Sequence, residues 1–267
     1  MKTLEIRNLT LGAGRPKICA PIVGKTKAEI LEEAKAIYKL PADMAEWRVD
    51  FLQPITEDRL DQQLESYLDQ VLNILAALRA CLQDKPLLFT FRTTAEGGEN
   101  ALSPENYTRL NQAAAASTFA DLLDVEVSVG KTWATQIIQE AHSHGTAVVG
   151  SSHHFQRTPP KGEMISLLRN MQALGVDISK IAVMPSSIQD VLTLLETTAE
   201  MQTNGGGPII TMAMSSLGGI SRLAGEYFGS AVTFGSVSNS SAPGQIPVED
   251  LNTILNIIHS NLHLDKK

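Results

Sequence analysis

The chain has 267 residues, 43% apolar and 19% charged, which leaves material for a sizeable core and excludes a wholly disordered polymer. A net charge of −7 and a pI near 5.4 argue against nucleic acid or an anionic membrane as partner, so any anionic ligand must be held by arginines gathered locally. The two cysteines, Cys19 and Cys81, lack CxxC spacing, the opening Met-Lys-Thr-Leu-Glu is too charged for a signal peptide, and no apolar run nears the roughly 20 residues that span a bilayer; we expect a cytoplasmic chain with free thiols.

The first 16 residues, with Gly12-Ala13-Gly14 as a turn, read as a hairpin closing the bottom of a barrel. Short runs of Val, Ile, Leu and Phe then alternate with amphipathic segments, as in strands buried on both faces and joined by helices. A strand at Lys17–Val23 precedes a helix at Lys27–Leu40, Met44–Phe51 precedes Asp58–Leu82, and Leu87–Arg92 precedes Pro104–Phe119. Leu122–Val127 leads to Thr132–His144, Ala147–Ser152 to Gly162–Leu174, and Lys180–Met184 to Ile188–Gln202. After Ile209–Met214 the glycine-punctuated Ser215–Gly229 reads as a loop and a short helix, and Ala231–Val237 is followed by Val248–His259. Ser103 before Pro104, and Ser187 before Ile188, are helix-start signals. The alternation predicts an α/β fold, a single-domain (β/α)8 TIM barrel over residues 1–267. An open doubly wound sheet is the alternative, but no G-x-G-x-x-G opens a first βα turn.

Unexpected polar residues fall within or just after the strands, where such a barrel builds its active site. Glu46, Arg48 and Asp50 alternate with Trp47 and Val49, which puts the three charges on one face. Arg92 ends L-L-F-T-F-R, Asp124 and Glu126 lie in D-V-E, and His153 follows V-V-G-S-S. Any one of these reads equally as a solvated or structurally paired charge. Together they point to a site, because desolvating so many charges for the fold alone gains little stability.

Lys180 shares a face with Ala182 and Met184, so its ammonium is expected to enter the barrel among apolar neighbours. An ordinary lysine pKa of about 10.4 leaves too little free amine at neutral pH, and desolvation with nearby guanidinium charge would lower it. A free amine is what Schiff-base chemistry on a ketone requires. The plain alternative is a lysine snorkelling to the rim. His153 suits proton transfer. Its neighbour His154 faces the other way in a regular strand. Neither that pair nor His142 with His144 has acidic ligands at useful spacing, so we expect no metal and no cofactor.

Several ordered stretches carry a resemblance: G-A-G-x-P-K near the start, E-W-R-V-D, F-T-F-R, S-S-H-H-F, K-I-A-V-M-P, I-S-R-L-A-G-E-Y-F-G-S-A-V-T-F-G over Ile220–Gly235, and S-A-P-G-Q-I over Ser241–Ile246. Together they resemble the type I 3-dehydroquinate dehydratases from end to end. The resemblance implies a lyase of the shikimate pathway, converting 3-dehydroquinate to 3-dehydroshikimate by syn elimination of water, and a homodimer. It implies Lys180 as the Schiff-base lysine, His153 as general acid and base, and Glu96 as the carboxylate that positions and tunes that histidine. It gives Arg222 to the substrate carboxylate, Glu46, Arg48 and Arg92 to the ring hydroxyls and the order of the site, and Met212 and Met214 to packing against ring and lysine. Ser241 and Gln245 belong to a loop that closes over the substrate. The chain departs from the pattern at His154, where Asp is usual, and at Pro21, where some relatives carry Ser. The rival readings are another Schiff-base barrel enzyme, such as an aldolase, and an inactive barrel that senses a quinate-like ligand; retention of both Lys180 and His153 disfavours the latter.

Overall fold

In the computed structural model the chain opens with a hairpin of β1 (Leu4–Ile6) and β2 (Leu9–Leu11), in which Leu4 pairs with Leu11. Residues 2–52, 57–204, 206–237 and 242–262 are described, 57–63 through their backbone alone. The hairpin turns at Arg7, which adopts φ 52, and not at Gly12-Ala13-Gly14 as expected. The positive φ of Gly12 and Gly14 instead steers the link from the hairpin into the first long strand.

That strand, β3 (Lys17–Ile22), starts a regular alternation. It continues with α1 (Lys27–Lys39), β4 (Met44–Arg48), α2 (Glu57–Leu82), β5 (Leu87–Thr90), α3 (Pro104–Ala116), β6 (Leu122–Glu126) and α4 (Lys131–Ser143). Then come β7 (Ala147–His154), α5 (Lys161–Leu174), β8 (Ile178–Val183), α6 (Ile188–Thr203) and β9 (Ile209–Ala213). The short α7 (Gly219–Leu223) and α8 (Gly225–Phe228) cross to β10 (Val232–Ser236), followed by β11 (Ile246–Pro247) and α9 (Val248–Leu262). The parallel sheet runs β11-β10-β3-β4-β5-β6-β7-β8-β9. The Ala231 N–H donates to the Ile209 carbonyl at 2.8 Å, which brings β10 to β9 and curls the sheet into a TIM barrel. Among the described residues no helix is long and apolar enough to cross a membrane.

Period-two alternation sorts the strand side chains into two sets. Trp47, Phe89, Leu123, Val125, Val148, Ile181 and Val183 point outward and pack with the helices. Cys19, Met44, Leu88, Leu122, Val149, Ile178, Ile210 and Val232 point inward and fill the lower barrel, where Ile6 and Leu11 of the hairpin join them. The hairpin thus caps the bottom, as expected. Helix starts follow the serine signals: Ser103 accepts from the Asn106 N–H and Ser187 from the Asp190 N–H, both at 3.2 Å. Each such cap stabilises its helix by about 1 kcal/mol.

Two strands differ from expectation in ways that matter above the apolar layer. The strand at Met44 stops at Arg48, and residues Val49–Phe51 form a 3-10 turn. Asp50, wholly buried, uses that turn to grip Arg48 with both oxygens at 2.7 Å while accepting the backbone N–H groups of Arg92 and Glu99. A straight strand could not meet all three. The strand carrying Lys180 begins at Ile178, so Lys180 sits inside the barrel and does not open the strand.

Candidate active site

Strands β4–β10 contribute inward residues above their apolar ones: Glu46 and Arg48 from β4, Arg92 just beyond β5, Asp124 and Glu126 from β6, Ser151 and His153 from β7, Lys180 from β8, Met212 from β9 and Phe234 from β10. Above the apolar layer Glu46, Arg48, Arg92, His153, Lys180, Met212 and Phe234 border a cavity at the carboxyl ends of the strands, with Asp124, Glu126 and Ser151 behind them.

Lys180 is 3% exposed and lies on the floor of this cavity. Its Nζ is 3.0 Å from Asp124 Oδ2, 4.0 Å from Glu46 Oε1, and 4.6 Å from the centre of the Phe234 ring. The neighbouring guanidinium expected from the sequence is screened by a carboxylate. Asp124 stands between the two cations, its Oδ1 accepting from Arg92 Nη2 at 2.7 Å and from Ser151 Oγ at 2.5 Å. Burial opposes the charge on Asp124, but Arg92 and Lys180 outweigh it and hold the carboxyl well below the usual range. Arg92 is likewise buried, yet Asp124, Glu126 and Glu96 around it push its pKa above that of an ordinary arginine. Glu46 is fixed by the Thr90 hydroxyl, which donates to its Oε1 at 2.9 Å.

His153 and Glu96 form the second half of the site. His153 Nδ1 lies 2.8 Å from Glu96 Oε2, the His153 backbone N–H donates to the same oxygen at 3.1 Å, and Ser128 Oγ donates to Oε1 at 2.5 Å. Burial, and then the charges of Arg92 and Lys180, lower the imidazole well below the ordinary histidine range. Burial, and then Glu126, push Glu96 up to about 7. Both shifts oppose ionisation, so the contact is a hydrogen bond from a neutral ring more than an ion pair. With Nδ1 so engaged, Nε2 is left for the cavity. Glu96 reaches this position because the chain turns tightly after it. Gly97 has φ 82, and a Cβ there would lie 2.3 Å from the Phe155 ring.

Arg222 on α7 forms the opposite wall and is 1% exposed. Its Nη2 donates to the Pro243 carbonyl at 3.1 Å, while Nε and Nη1 have no partner among the described residues. Burial alone lowers it to about 10, since no carboxylate answers its charge. Nε and Nη1 lie on the two different edges that each shares with Nη2, so either edge has a donor open to a carboxylate. Pro243 also accepts the Ser215 N–H at 3.2 Å, which ties the segment bearing Ala242 and Gln245 to the mouth of the cavity.

The family model for type I 3-dehydroquinase matches residues 18–262. The chain is 46% identical over 262 residues to the 3-dehydroquinate dehydratase of Bacillus licheniformis, covering 98% of this chain and 99% of that protein. It is 48% identical over 260 residues to that of Salmonella agona, covering 97% and 99%. Among solved structures, the type I 3-dehydroquinate dehydratase of Clostridium difficile with covalently modified comenic acid superposes with a TM-score of 0.90 at 44% identity, covering 97% of this chain and 98% of that one. The chain belongs to the type I 3-dehydroquinase family.

Of the residues to which the family resemblance assigns roles, Lys180, His153, Glu96, Glu46, Arg48, Arg92, Met212, Met214, Arg222 and Gln245 all border the one cavity. Ser241 lies outside the described residues. His154 does not line the cavity; its Nε2 sits 3.4 Å from Ser152 Oγ on the outer side of β7. Asp124 stood out in the sequence only as a charge, and its contact with Lys180 was not foreseen. Ser128, Ser151, Thr90, Phe155 and Phe234 were missed as site residues. Phe155 stands in the S-S-H-H-F motif and Phe234 two residues beyond an inward valine, so strand periodicity alone would have directed Phe234 to the cavity.

Proposed function

We propose that the chain dehydrates 3-dehydroquinate to 3-dehydroshikimate through a Schiff base on Lys180, with His153 moving the proton. One observation carries the reading: a buried lysine, a histidine anchored through Nδ1 and an arginine with two donors unpaired among the described residues face one cavity. Arg222 receives the substrate carboxylate, bidentate, and thereby sets which carbon lies over Lys180. Condensation at the C3 ketone yields an iminium, an electron sink that acidifies C2–H. His153 Nε2 takes that proton and returns it to the departing C1 hydroxyl, so one group serves both halves of a syn elimination. Acid–base help of this kind is worth about 10²–10⁴-fold. Glu96 holds the ring through Nδ1, Arg48 and Glu46 meet ring hydroxyls, Arg92 orders the carboxylates, and Met212 and Met214 pack against the ring. Ser241 and Gln245 close over the substrate and exclude water. The steps need neither metal nor cofactor. A homodimer and a cytoplasmic location, the latter in keeping with the free thiols Cys19 and Cys81, complete the proposal.

The test is borohydride reduction in the presence of 3-dehydroquinate, followed by peptide mass spectrometry. An adduct on the peptide containing Lys180 is expected. Folded protein with no adduct would return the chain to the reading of a barrel that only binds its ligand.

A further inference from the structure

We infer that Phe234 is a catalytic residue, its ring face holding the positive charge on the Lys180 nitrogen when that nitrogen becomes an iminium; this rests on the Schiff-base reading above. The ring of Phe234 is buried at the end of the inner stripe of β10, and the ammonium stands over its face, 4.6 Å from the centre. Among the described residues the carboxylates of Asp124 and Glu46 also lie close to the charge, at 3.0 and 4.0 Å.

These two kinds of neighbour respond differently to the reaction. The ammonium gives up a proton to become the attacking amine, the C–N bond forms, the carbonyl oxygen leaves as water carrying that proton and a second one from the nitrogen, and the product R–NH⁺=C carries a single positive charge. The nitrogen's hydrogen-bond donors fall from three to one while its charge is unchanged and spreads onto carbon. Asp124 and Glu46 are then left with a single N–H between them. An aromatic face needs no N–H, because its quadrupole attracts the cation itself, and it suits a flat, weakly hydrated cation in a dry site. Phe234 thus compensates as hydrogen bonding falls away. Removal of the C2 proton gives a neutral enamine and releases this attraction, and loss of the C1 hydroxyl restores an iminium over the same ring. A leucine in place of Phe234 would keep an apolar side chain in the cluster that holds Met212 and Ala182 but supply no quadrupole.

The experiment places mono-, di- and trifluorophenylalanine at position 234, preserving shape while weakening the ring's negative face stepwise. The rate of borohydride-trapped adduct formation on Lys180 with 3-dehydroquinate is followed in a single turnover, with Phe234→Leu alongside. The expected result is a steady fall in the logarithm of the rate with each fluorine, reaching about tenfold at trifluorophenylalanine, and a loss of about tenfold to thirtyfold in Phe234→Leu. Adduct formation on Lys180 at a rate independent of fluorination overturns the role of Phe234 and leaves the Schiff base standing. No adduct even in the unsubstituted protein overturns both.

Discussion

Replacing Arg222 by methionine should damage turnover and stabilise the fold at once. In the protein without substrate, Nε and Nη1 of this buried guanidinium have no partner among the described residues, and burial pulls its pKa down to about 10. A buried donor left unpaired costs about 1–3 kcal/mol. Methionine fills a similar length without polar atoms, and the substitution gives up only the bond to Pro243, worth about 1 kcal/mol. With two such donors the net expectation is a gain of about 1–5 kcal/mol, or a melting temperature higher by about 2–9 °C for a chain of this size. Activity moves the other way. Two charge-assisted hydrogen bonds to a carboxylate are worth about 3–6 kcal/mol, so kcat/KM for 3-dehydroquinate should fall about 10²–10⁴-fold. Thermal unfolding followed by circular dichroism, beside steady-state kinetics, reads both quantities. A lower melting temperature, or a kcat/KM within a few-fold of the parent, would refute the view that this arginine is held unsatisfied for its ligand.

Three further outcomes rest on the charges. Glu96 is raised to about 7, so the folded state keeps a proton that the unfolded chain releases near 4.5; this contribution is present below about 4.5 and lost as pH rises through 7. Glu96→Gln should therefore gain stability relative to the parent between pH 5 and pH 8 in urea titrations, and should lose any rise in kcat/KM near pH 7. Asp124 has the opposite sign: its depressed pKa contributes stability above the ordinary carboxyl range, lost only as pH falls into strong acid. Asp124→Asn, which removes the carboxylate shared by Lys180 and Arg92, should cost about 3–5 kcal/mol at pH 7 by chemical denaturation. His154→Asp, on the outer side of β7, should leave kcat/KM within about threefold at its optimum, since the surface charge there is screened; a large change at every pH would mean that the outer face of the strand communicates with the cavity.

The alternation that places these groups was legible because a barrel strand repeats every two residues. Trp47 between Glu46 and Arg48, and Val125 between Asp124 and Glu126, mark the outward face, and the structure packs both against helices. Such a pattern reports the face of a residue and not its height. Which carboxylate meets Lys180 depends on the stagger of β6, β7 and β8, a property of the closed sheet: Asp124 lies 56 positions away in the chain and reaches across an intervening strand. The guanidinium charge anticipated near Lys180 stands behind a carboxylate for this reason. Arg92 and Asp124 are both inward and both high in the barrel, and only the register decides that the carboxylate comes between them.

The turn at Asp50 was hidden for a different reason. Its charge continued the alternation of Glu46 and Arg48, so a longer strand read naturally, whereas the backbone gives up a strand residue to let one carboxylate join Arg48, Arg92 and Glu99. Polar satisfaction overrode periodicity where burial made an unpaired carboxylate most costly. The same logic separates Arg222 from every other arginine bordering the cavity. Arg48 and Arg92 are buried and answered by carboxylates, while Arg222, equally buried, is answered among the described residues by one backbone carbonyl. A fold that satisfies two such cations so fully and leaves the third with open donors has placed its unspent binding capacity where an anionic ligand would supply the missing partner.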